Sequence, residues 1–121
     1  HERESIERHP TIGRQVLQPL IDAEVALSVV GWHHERWDGR GYPDGLAGHT
    51  IPVAARIAAV CDALDAMIHP RAHRAAHPWD VAVRSIQDDS GEAFDPDIVE
   101  AMGRCLDDLK TIATQAEQPA L

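Results

Sequence analysis

The sequence predicts an all-α fold, and three observations carry that reading. Apolar residues recur at spacings of three and four along most of the chain. No alternating run of β-branched or aromatic residues is long enough for a sheet. Aromatic residues make up only 4% of the chain, so the core has to be aliphatic, built from Ala, Val, Ile and Leu.

The elements follow in order. Residues 2–8 read as the end of a charged helix, stopped before Pro10. Pro10 suits the first turn of a second helix, with Ile12, Val16, Leu17 and Leu20 on one face. Asp22 reads as the cap of a third, with Val25, Val29 and Val30 as its apolar positions and an end near His33-His34. Residues 35–51 are the clearest loop, with Gly39, Gly41, Pro43, Gly45 and Gly48. A loop of that length in a small domain usually carries function. Pro52 opens the most regular helix, on which Val53, Ile57, Val60, Leu64 and Ile68 form one stripe until Pro70. A short basic connection holds Arg71, His73 and Arg74. Pro78 opens a helix with Val81, Val83 and Ile86, and Ser90-Gly91 turns the chain. Asp95 and Pro96 read as N-cap and first helical residue of a last helix bearing Val99, Met102, Leu106 and Leu109. Residues 1–114 are expected to form the domain and 115–121 a polar tail.

Length and charge narrow the function. A chain of 121 residues allows one core, or part of a larger one. Lys and Arg number 11 against 20 Asp and Glu, a net charge of −9, which argues against binding long nucleic acid. Cys61 and Cys105 allow one disulfide but not the cysteine framework of a small secreted domain. No run of about 18 apolar residues offers a membrane span. The start is not a signal peptide and lacks an initiator Met, so the chain is expected to be cut from a longer one. Eight histidines are the excess to explain.

Adjacent helical residues point about 100° apart, so His33 and His34 suit two neighbouring metals better than chelation of one. Asp62 lies mid-helix in a mostly small, apolar setting, where a carboxylate has to be paired, hydrogen-bonded or metal-bound unless it faces solvent. Asp65 shares its neighbourhood, and two solvated carboxylates on an outer face remain the alternative. His9 stands between two helices before Pro10, where an exposed junction residue is the plain reading. His and Asp donors without cysteine suit Fe, Mn, Zn or Ni.

The run from His33 to Leu46, with His33-His34-Glu35, Asp38-Gly39, Gly41-Tyr42-Pro43 and Gly45-Leu46, resembles the signature loop of the HD-GYP family of bacterial cyclic di-GMP phosphodiesterases. The likeness continues through Gly48, Ile51-Pro52, Ala55-Arg56-Ile57, Val60, Asp62 and Asp65-Ala66. Upstream, Arg8-His9-Pro10 fits it, and downstream Ser90-Gly91 and Phe94-Asp95-Pro96, so it covers about residues 2–102. It implies a helical bundle of the HD-domain superfamily, truncated at its N-terminus. It implies His9, His33, His34 and Asp62 as metal ligands for two or three divalent ions, Fe or Mn foremost, with Zn and Ni as alternatives. Gly41, Tyr42 and Pro43 would shape the substrate wall, and Arg71 and Arg74 would contact the ligand, although His73 stands where the family usually has Tyr. The metals would activate a water for in-line attack on a phosphodiester of cyclic di-GMP.

The family's His-Asp dyad does not occur here: the eight histidines are followed by Glu, Pro, His, Glu, Thr, Pro, Arg and Pro. The dyad and a nearby lysine are expected upstream of residue 1, so this chain alone is expected to be inactive. Two readings stand. One is part of an active bacterial, cytoplasmic phosphodiesterase attached to a sensor or receiver domain of two-component signalling. The other is a degenerate HD-GYP module that binds signalling proteins without catalysis. Missing helices would also bare apolar surface on the helix from Pro52, which favours a homodimer.

Overall fold

The structure is a computed structural model and describes residues 18–117. It is helical, with no β-strand among the described residues. Helix α1 occupies 18–32 of the described residues. A short 3-10 turn follows at Gly48–Thr50, then α2 (Val53–Ile68), α3 (Trp79–Asp88), α4 (Pro96–Arg104) and α5 (Leu106–Glu117). The expected helix over 2–8 and the Pro10 segment with His9 lie outside the described residues.

Helix α1 runs straight through Asp22, where the sequence reading placed a break. Gln18 Nε2 donates to Asp22 Oδ1 at 2.8 Å, one turn along the helix. That bond makes Asp22 an interior i,i+4 partner rather than a cap. The helix closes where His33 N donates to the Val29 carbonyl at 3.0 Å.

The core lies between α2, α3 and α4. It is made by Val60 and Leu64, by Ala82, Val83 and Ile86, and by Val99 and Met102. Ala82 and Ile86 are fully buried. Burying a side chain of the size of Ile86 contributes roughly 2–3 kcal/mol. The apolar stripe expected on α2 is only half used. Val60 and Leu64 enter the core, whereas Val53 stays 54% and Ile57 45% exposed. The stripe has the right period, but α3 and α4 cover its C-terminal part only. Val81 departs in the same way, 51% exposed, while its neighbours Ala82 and Val83 are buried.

The helix ends largely follow the sequence. Pro52 and Pro78 stand at the N-caps of α2 and α3. Asp95 caps α4, its side chain accepting from Asp97 N, with Pro96 in the first turn. The single last helix expected from the pattern is two. Cys105 sits at φ −129°, ψ 29°, outside helical values. Its N–H bonds back to the Met102 carbonyl, and Leu109 N then starts the next helix from the Cys105 carbonyl. The bend lets Met102 stay buried while Leu106 and Leu109 also pack on the core. No helix among the described residues is long and apolar enough to cross a membrane.

Candidate active site

The loop between α1 and α2 is the best-organised polar feature, and Glu35 organises it. This carboxylate is buried, at 4% exposure. Its Oε1 accepts from Asp44 N at 2.7 Å and Gly45 N at 3.1 Å, and its Oε2 accepts from Leu46 N at 2.7 Å. A buried charge needs such partners, and three successive N–H groups supply them. The loop is therefore folded around a side chain that the sequence reading included in the motif without a role. Trp32 Nε1 adds a bond to Asp44 Oδ2 at 2.8 Å.

Gly41 permits the closest approach. A Cβ there would lie 2.5 Å from both Arg36 N and the His34 carbonyl oxygen, and 2.7 Å from Glu35 Cα. Those neighbours are backbone and cannot swing aside. Gly41→Ala is expected to cost about 2 kcal/mol through displacement of the 34–36 backbone. Chemical denaturation checks it; an unchanged midpoint would show that the loop absorbs the methyl group freely.

The loop also docks on the connection between α3 and α4. Trp37 N donates to the Ala93 carbonyl and Asp38 N to the Glu92 carbonyl, at 3.2 and 2.9 Å. Its exit is fixed by Arg56, whose Nε donates to the Ile51 carbonyl at 2.9 Å and whose Nη1 meets Asp95 Oδ2 at 2.7 Å. The Asp95 side chain is 1% exposed and that of Arg56 14%. Burial alone would raise the Asp95 pKa, but the Arg56 guanidinium and the Asp97 N–H hold it below the usual carboxylate value. At the surface, the hydrogen bonds from Arg36 and from Arg40 N likewise lower that of Asp38.

This frame sets the histidines. His33 Nδ1 lies 2.6 Å from the Val29 carbonyl oxygen. A carbonyl only accepts, so Nδ1 carries a proton, and in the neutral tautomer that this selects, Nε2 is the nitrogen with the lone pair. His34 is exposed; its ring stacks on Tyr42 at a centroid distance of 5.0 Å and touches His33 at 3.9 Å. Tyr42 N donates to the His34 carbonyl at 3.3 Å, and the Tyr42–Pro43 peptide is cis. His33, His34, Gly41, Tyr42 and Pro43 thus form one patch.

The other expected site residues stand apart from that patch in their bonding. Asp62 is exposed on α2 and has no hydrogen-bond or ion-pair partner among the described residues. Arg71 and Arg74 pair backbone to backbone just beyond α2. Arg74 Nη2 donates to the Ala66 carbonyl at 2.6 Å and so satisfies the end of α2, while the Arg71 guanidinium is 3.9 Å from Asp65. His9 lies outside the described residues. Among the described residues, no three His, Cys, Asp or Glu side chains are gathered around a point that could hold a metal ion. The donor types, two imidazoles and a carboxylate, suit a divalent ion, but among the described residues they are not gathered around one point.

Comparison with known proteins adds the context. The sequence profile of the HD domain family matches residues 1–98. A cyclic di-GMP phosphodiesterase of Thermotoga maritima is 42% identical over 106 residues, which are 83% of this chain and 28% of that protein. The cyclic di-GMP phosphodiesterase response regulator RpfG of Xanthomonas campestris is 39% identical over 112 residues, 91% of this chain and 30% of its own length. The chain therefore spans less than a third of these curated relatives. A crystal structure of a cyclic GMP-AMP-specific phosphodiesterase from Vibrio cholerae superposes with a TM-score of 0.64 at 24% identity, over 89% of this chain and 27% of that one. At that identity the likeness shows the helical fold.

Proposed function

The chain belongs to the HD domain family, and from that premise we propose that it is part of a metal-dependent phosphodiesterase domain that opens cyclic di-GMP. The observation that carries this reading is the His33 imidazole, locked by the Val29 carbonyl with Nε2 free, at the mouth of a loop held by Glu35. The names of the relatives support the substrate class.

We propose His9, His33, His34 and Asp62 as the metal-holding residues. Iron or manganese are the first candidates for two or three sites, and zinc or nickel the alternatives. When bound, such ions supply Lewis acidity and an activated water for attack on phosphorus. The chain's own residues do the rest. Val29 fixes the His33 tautomer, as partners of ligating histidines commonly do. Tyr42, 62% exposed and stacked on His34, offers a wall to a guanine or ribose, with Gly41 and Pro43 setting its place. Arg71, exposed and only loosely paired with Asp65, keeps a cation for a phosphate. Arg74 contributes through its hold on the end of α2. An overall charge of −9 is compatible with an anionic ligand when the positive groups are local. The bacterial cytoplasm is the proposed place of action.

In the complete protein that carries these residues, His33→Ala is expected to lower bound metal and the rate of cyclic di-GMP hydrolysis together, each by at least about tenfold. Metal analysis and product chromatography check it. Wild-type metal content in the variant would remove His33 from the ligand set. A complete protein that binds cyclic di-GMP without turnover would instead support the interaction-module reading.

A further inference from the structure

An apolar groove of roughly 520 Å³ runs between α2, α4 and α5. The chain's two cysteines, Cys61 and Cys105, both line it, and both are free and exposed. Each is placed by the core. Cys61 follows buried Val60 and precedes buried Leu64 by one turn, and Cys105 stands one turn beyond buried Met102. These three neighbours belong to one packed cluster, and the two cysteines line the same groove from α2 and from the α4–α5 bend. Cys105 also occupies the bend between α4 and α5, where the backbone leaves helical values. Its Sγ points back to the Ala101 carbonyl at 3.3 Å, a weak bond that is easily given up. No third metal-binding side chain joins them among the described residues.

We propose that Cys61 and Cys105 are a dithiol that forms a reversible intramolecular disulfide, fixing the α4–α5 bend to α2 across the groove. The oxidant is a low-molecular-weight disulfide. Cys105 loses its proton and attacks one sulfur of that reagent, which leaves as a thiolate and gives a mixed disulfide. Cys61 then loses its proton and attacks the Cys105 sulfur, expelling the second thiolate. Two protein thiols are oxidised and one external disulfide is reduced to two thiols. The order follows from position: Cys105 stands at the bend between α4 and α5, whereas Cys61 is held within the regular turns of α2.

The test treats the full chain with oxidised glutathione, quenches with acid and reads the intact mass and peptide map. The expected product is a monomer lighter by two hydrogen atoms, with a Cys61–Cys105 peptide, restored by dithiothreitol and melting higher than the reduced form. Cys61→Ser is expected to stop at one glutathione adduct on Cys105. Wild-type chain that carries two separate adducts, crosslinks between two molecules, or stays unmodified would overturn the proposal.

Discussion

Glu35→Ala is expected to lower the stability of the chain by about 3 kcal/mol, and Glu35→Gln by about half as much. The alanine variant removes the acceptor of three N–H groups at residues 44–46 in one step. Charge-assisted bonds contribute about 1.5–3 kcal/mol each, but the sum is discounted because Asp44 and Gly45 are exposed and water reaches their amides. Glutamine keeps the shape. Its carbonyl can still take the two bonds from Asp44 and Gly45, while its amide group then faces the Leu46 N–H, donor against donor. A loss of this size shifts the melting temperature of a small domain by roughly 10 °C or more. Urea denaturation gives the ranking, and amide hydrogen exchange at 44–46 reports the cause. Equal stability of all three proteins would mean that the loop is held from elsewhere.

The same contacts show what could be read in advance. The loop itself was legible, because five glycines and prolines between two periodic segments leave few other conformations. Four helix signals held where local chemistry decides: Pro52, Pro78, and Asp95 with Pro96. The division of α4 from α5 was not legible. Val99, Met102, Leu106 and Leu109 keep one continuous helical period through the bend, and only the demand that both halves touch the same core breaks it. Nor was the exposure of Val53 and Ile57, since a periodic stripe says which face is apolar and not how far a neighbour extends along it. In the site, the motif singled out His33, His34 and Tyr42, and the structure places these rings together. The residues that hold them there were missed. Glu35 acts through backbone amides that have no sequence signature, and Arg56 and Asp95 are 39 positions apart. A charged residue beside small apolar ones, as Arg56 is between Ala55 and Ile57, was the available signal for a buried pair.

Arg56→Ala is expected to be the most damaging single change, at about 4 kcal/mol near neutral pH. The pair joins three parts of the fold, namely the loop exit at Ile51, helix α2 and the cap of α4. Without Arg56, the Asp95 carboxylate stays buried with only the backbone N–H groups of Asp97 and Ile98 beside it, and a buried charge without its counter-charge costs far more than the pair gains. Asp95→Asn leaves instead a guanidinium that is 14% exposed and can turn to water, so its cost is about 2 kcal/mol. The pH dependence separates the two states of Asp95. In the wild type its folded pKa lies below the unfolded value, so the unfolded chain binds the proton more readily. The pair's contribution is thus complete above the ordinary carboxylate range and is lost as pH falls through the depressed folded value. In Arg56→Ala the hydrogen bond and charge of Arg56 are gone, so the Asp95 pKa rises relative to wild type against the same burial, and protonation costs the folded variant less. The stability gap between wild type and variant is therefore expected to narrow steadily as pH is lowered from neutral into the carboxylate range. Urea denaturation of both proteins across that range measures the gap. A gap that stays constant or widens in acid would show that Arg56 stabilises through its bond to the Ile51 carbonyl and its packing, and not through the charge of Asp95.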